Sequence, residues 1–155
     1  MIPLDVSFGI FAFLPMGWLF MAIVILGEAY LMCKYLIRKK FDKKVYISAA
    51  VSNIVSGATG ILTSLKLNGG WWLVVWFPWV SSHEVDIRDP RQVWFLIIYY
   101  IVALMLSILI EVLVNYLFLR KQYNFKTTLK ATLIANAFSY ALGAIIIIVL
   151  CISPI

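Results

Sequence analysis

Four stretches of this sequence, Phe8 to Tyr35, Val45 to Leu65, Val93 to Leu119 and Thr127 to Cys151, each run for more than 20 residues with two charges or fewer. A helix needs about 20 mostly apolar residues to cross a ~30 Å hydrocarbon core, so the pattern predicts an all-α membrane protein with four transmembrane helices. The bulk figures agree: 64% hydrophobic residues, 13% charged and a mean hydropathy of +0.99 exclude an ordinary water-soluble domain. The whole chain, 1-155, reads as a single integral membrane domain, with a first hairpin over about 8-65, an outer loop over 66-92 and a second hairpin over about 93-152.

Basic residues give the expected orientation. Lys34, Arg38, Lys39, Lys40, Lys43 and Lys44 surround the first connection, and Arg120, Lys121, Lys126 and Lys130 surround the third. Positive loops stay inside, which puts both connections in the cytoplasm and both termini outside a plasma (inner) membrane. The net charge of +6 therefore reads as topology plus attraction to anionic headgroups of the lipid bilayer. No nucleic-acid partner is implied, because the cations sit in short loops. The first stretch lacks a basic leader and runs past the length of a signal h-region, so it is expected to stay as a permanent helix.

Two carboxyls interrupt the apolar stretches, Glu28 and Glu111, and each is followed 25 residues later by an Asn, Asn53 and Asn136. Shifting by 83 residues also places Lys126 on Lys43, Ser139 on Ser56 and Gly143 on Gly60, which suggests two tandem parallel-repeat helical hairpins. Counting from the basic turns at 1.5 Å per residue puts each Glu and its Asn roughly 9 to 13 Å inside the cytoplasmic edge. The pairs Glu28 with Asn53 and Glu111 with Asn136 are thus expected to form intramembrane polar clasps, the amide replacing part of the lost hydration. Ala49, Asn53, Ser56 and Gly60 share one helix face, and Thr132, Asn136, Ser139 and Gly143 repeat the spacing. Ser56, Gly60, Ser139 and Gly143 are the expected helix-packing positions, since helices in lipid associate through small residues and polar contacts. Intramembrane carboxylates also mark ion and proton pathways, so a small channel or transporter using Glu28 and Glu111 is the alternative to an architectural role.

The outer loop carries Trp71, Trp72, Trp76 and Trp79 within an apolar run half the length of a span. Indoles favour the headgroup boundary, which predicts an interfacial or re-entrant segment that anchors the chain or docks a partner. His83 with Glu84, Asp86 and Asp89 matches no ligand spacing, so no metal and no cofactors are expected. Cys33 is expected near the inner end of the first helix and Cys151 near the outer end of the fourth, too far apart to bridge. No phosphate loop, nucleophile elbow or zinc motif is present, and the chain is read as not an enzyme.

The elements Glu28-Ala-Tyr30, Phe41-Asp-Lys-Lys44 and Asn53-Ile-Val-Ser56 resemble those of the FraC-type filament integrity proteins of cyanobacteria, small multi-pass septal membrane proteins. The second half echoes them with Glu111, the turn from Arg120 to Lys130, and Asn136-Ala-Phe-Ser139, although Glu111-Val-Leu lacks the Tyr. The resemblance implies a non-enzymatic component of a cell-cell septal junction, acting in filament integrity beside other membrane protein subunits or by self-association. A lipid-modifying enzyme or lipid-handling protein, resting on the Trp segment alone, is a third reading.

Overall fold

The computed structural model describes residues 15–38, 40–68 and 89–152. They form four helices: α1, Pro15–Leu36; α2, Lys43–Asn68; α3, Pro90–Leu119; and α4, Phe125–Ile152. The expected Trp segment, with Trp71, Trp72, Trp76 and Trp79, lies outside the described residues, as do 8–14 and the His83 cluster apart from Asp89. Two helices reach into what the sequence assigns to the outer loop. α2 runs on to Asn68, and α3 starts at Pro90 because Asp89 caps it: the Arg91 amide donates to Asp89 Oδ1 at 2.9 Å and proline fills the first helical position.

Short capped turns fix the two hairpins. Asp42 caps α2, its Oδ1 accepting from the amides of Lys44 at 2.9 Å and Val45 at 3.1 Å. Asn124 caps α4 in the same way, accepting from the Thr127 amide at 2.8 Å. These side chains satisfy amides that a helix start leaves without an intrahelical partner. At the other end of the first turn, Arg38 stands at φ 54°, the left-handed position that commonly ends a helix and favours glycine.

The helices close into a ring in which α1 packs on α2, α2 on α3, α3 on α4 and α4 on α1. Adjacent helices run antiparallel; between α2 and α3, Ser48 meets Asn115 and Ser56 meets Ser107. Small residues permit the approach. Ala29, Ala49, Ala131 and Ala135 are fully buried, and at Gly27 a Cβ would stand 2.7 Å from the Phe138 ring of α4.

The distribution of polarity is inverted relative to a soluble bundle. Among the described residues the interior holds Glu28, Asn53, Glu111, Asn115, Asn136 and several Ser and Thr, about as many polar as apolar side chains, whereas Leu19, Ile97, Met105, Leu109 and Leu113 face outward. Water would penalise such an apolar exterior, and lipid does not. Among the described residues, three helices are long and apolar enough to cross a membrane, over Leu19–Leu36, Val93–Leu119 and Phe125–Ile146. α2 carries the densest small-polar stripe and lies between α1 and α3.

Replacing the α2 cap, Asp42→Ala, is expected to lower stability by about 1 kcal/mol, while Arg38→Gly is expected to raise it by up to about 1 kcal/mol by relieving the left-handed backbone. Reversible unfolding of the protein in detergent micelles measures both; equal midpoints for all three proteins would contradict these assignments.

Candidate functional site

One turn-by-turn stripe on each helix builds the centre of the bundle. On α1 the inward residue is Glu28, 2% exposed, and on α3 it is Glu111, 3% exposed. Asn53 of α2 donates its amide to Glu28 Oε2 at 2.7 Å, and Asn136 of α4 donates to Glu111 Oε2 at 2.9 Å. Both amides are shared in the same way with the carbonyl one turn earlier, Ala49 O at 3.0 Å and Thr132 O at 3.2 Å. This second bond aims each amide along its own helix and presets it toward the facing carboxyl.

The two Glu-Asn sets meet, which depth along each hairpin does not foretell. Glu28 interacts with Ser139 of the opposite hairpin and Glu111 with Ser56, and the carboxyls also interact with each other. Each Glu therefore takes an amide from its own hairpin and lies beside a hydroxyl of the other, although Ser56 donates to Ser107 and Ser139 to the Asn136 carbonyl. Ionised carboxylates offer acceptors only, so two of them in contact need a shared proton or a bound cation between them. The helix-packing positions complete the surroundings: Ser56, Gly60, Ser139 and Gly143 are all buried.

Glu28 and Glu111 line a cavity of about 70 Å³ together with Asn53, Ser56, Ser107 and Ser139. That volume holds a few waters or one small solute. On the side away from the basic turns its wall becomes apolar, through Phe20, Met21, Val24 and the two glycines Gly57 and Gly143. Tyr100 and Tyr140 stand on this wall with rings edge-on, 5.2 Å between centroids. Tyr100 donates to the Tyr140 carbonyl, the Tyr140 hydroxyl lies 2.7 Å from Ser107 Oγ, and Ser56 donates to Ser107 at 3.1 Å. A line of hydroxyls thus leads from Tyr140 through Ser107 and Ser56 to the carboxyls.

Toward the basic turns the interior is filled. Ser48 donates to Asn115 Oδ1 at 2.6 Å, and Asn115 donates to Thr132 at 3.2 Å, tying α2, α3 and α4 in one layer. Beneath it Met32, Cys33, Val45, Leu119 and Ala131 pack with almost no exposure. The Cys33 thiol is free and buried within this core.

Sequence spacing alone does not single out Ser107, Asn115, Tyr100 or Tyr140. Ser107 and Asn115 flank Glu111 at i−4 and i+4, a signal legible on one helix face. The corresponding positions of α1, Val24 and Met32, are apolar, and a search for repeated polar positions passes over them. Among the described residues no group of three or more His, Cys, Asp or Glu side chains is placed to hold a metal. No family model, curated protein or solved structure matches the chain.

Removing an amide while keeping its carboxyl, Asn53→Ala or Asn136→Ala, is expected to destabilise the bundle by about 1–3 kcal/mol, because a buried acceptor loses its partner. Glu28→Gln, whose carbonyl oxygen still accepts from Asn53, should cost less than Asn53→Ala. Unfolding midpoints in one detergent compare the two, and the opposite order would exclude the amide as the supporting partner.

Proposed function

We propose that all four helices cross the membrane as two tandem hairpins, and that the chain is a non-enzymatic structural or assembly subunit of a membrane complex. The observation that carries this reading is the closed inner half of the bundle. Below the carboxyls, the layer formed by Ser48, Asn115 and Thr132 and the packed core around Met32 and Leu119 fill the interior among the described residues. Polar groups in that half are spent on one another, which links helices instead of lining a pore. The family resemblance adds a location, the septa between neighbouring cells, and the Trp-rich outer loop adds a surface for other membrane subunits or for a second copy. The basic turns hold both connections on the cytoplasmic side.

A discrete oligomer or complex is therefore expected on crosslinking from a Cys introduced at Trp76 in native membranes. Recovery of monomer alone, under conditions that keep known complexes intact, would overturn the reading.

One observation favours a second reading, a small channel or transporter: the cavity brings both intramembrane carboxyls to a common wall with Ser107 and Tyr140. Such carboxyls commonly serve ion and solute handling. Flux into proteoliposomes that falls at least about tenfold in Glu28→Gln/Glu111→Gln is its expected signature. Absence of flux, or flux indifferent to the double substitution, removes it.

A further inference from the structure

We infer that the cavity between the four helices is a binding site for one small primary alkylammonium ion. The inference deepens the second reading by naming the class of guest, yet it requires binding alone and no passage through the bundle.

Three features of the cavity carry it. The floor offers acceptors: the Glu28 and Glu111 carboxyls and the oxygen of Asn53, whose amide nitrogen is committed to Glu28 and to Ala49 O. Ser56, Ser107 and Ser139 add hydroxyls that accept as readily as they donate. A guest with three N–H donors and one positive charge complements such a floor, and it also relieves the contact between two acceptor groups.

The wall above the floor is of another kind. Phe20, Met21 and Val24 stand one to two helical turns from Glu28 on α1, and Tyr100 stands about 10 Å along α3 from Ser107. A bare metal ion would use the floor and leave this wall without a role. A short alkyl chain packs against it, beside the apolar side chains and the aromatic rings. The volume of about 70 Å³ limits the guest to a few heavy atoms.

The test uses the full chain in nanodiscs, titrated calorimetrically with n-propylammonium chloride. Saturable binding of one ion per chain is expected, competed by other short primary alkylammonium ions and not by 1-propanol or tetramethylammonium, which has no N–H donor. Glu28→Gln/Glu111→Gln is expected to weaken binding at least about tenfold, the scale of losing one charge-assisted hydrogen bond. Gly57→Leu supplies an independent check: a Cβ there meets only Met21 Cε, at 4.0 Å, so the backbone has room for a side chain, and Leu at this cavity-lining position takes up guest space. Binding should be lost in that variant with the unfolding midpoint retained. No saturable binding to the unsubstituted chain, equal competition by sodium or tetramethylammonium, or undiminished binding in either variant overturns the proposal. Binding without flux in proteoliposomes upholds the site and removes only the transport reading.

Discussion

A carboxyl group buried between helices is tolerable only if something replaces the water it has lost, and here that replacement is the side-chain amide of an Asn on the next helix. An uncompensated buried charge costs several kcal/mol or neutralises itself. The bonds from Asn53 to Glu28 and from Asn136 to Glu111 therefore set the register of both hairpins. Slipping either helix by one residue rotates it by about 100° and takes the amide out of reach. The small residues around these pairs follow from the same need. A hydrogen bond of 2.7 Å between short side chains demands close backbones, and Ala49, Ser52 and Ala135 permit them.

This polar centre also explains why the exterior can be so apolar without the bundle falling apart in lipid. Leu and Ile gain little by moving from acyl chains to a neighbouring helix, so association must come from packing and from polar contacts. The bundle supplies them at three levels: Tyr140 with Ser107, the two Glu-Asn sets, and Ser48 with Asn115 and Thr132. These bonds join α1 to α2, α2 to α3 and α3 to α4, and close packing such as Gly27 against Phe138 completes the ring between α4 and α1. Helix starts are handled separately, by the caps Asp42, Asp89 and Asn124.

Much of this architecture was legible in the residues. The helix extents follow from length and apolarity, and Glu28 with Asn53 stands out because the second hairpin repeats it with Glu111 and Asn136. Depth counting could place a Glu beside its own Asn, since both distances run from the same basic turn. It could not bring the two sets together, because that depends on how the hairpins rotate about each other, which no count along a helix contains. Asn115 escaped for a different reason: its counterpart in the first hairpin is Met32, and a polar position present in one half only leaves no repeated mark. The left-handed Arg38 is likewise invisible in a turn where glycine is the usual residue.

That difference between the hairpins changes what the core is. Two copies of either hairpin, turned about a common axis, would bring the same Glu, Asn and Ser residues together. A pair built from the first would line both sides with Val24 and Met32, giving a centre capped by grease above and below. A pair built from the second would place Ser107 and Asn115 on both sides and extend the polar column in both directions. The single chain combines one of each, so its interior is more polar along α3, with Ser107 and Asn115, than along α1, with Val24 and Met32. Covalent linkage of unlike halves thus creates a lopsided chamber that no symmetric dimer of either half can possess.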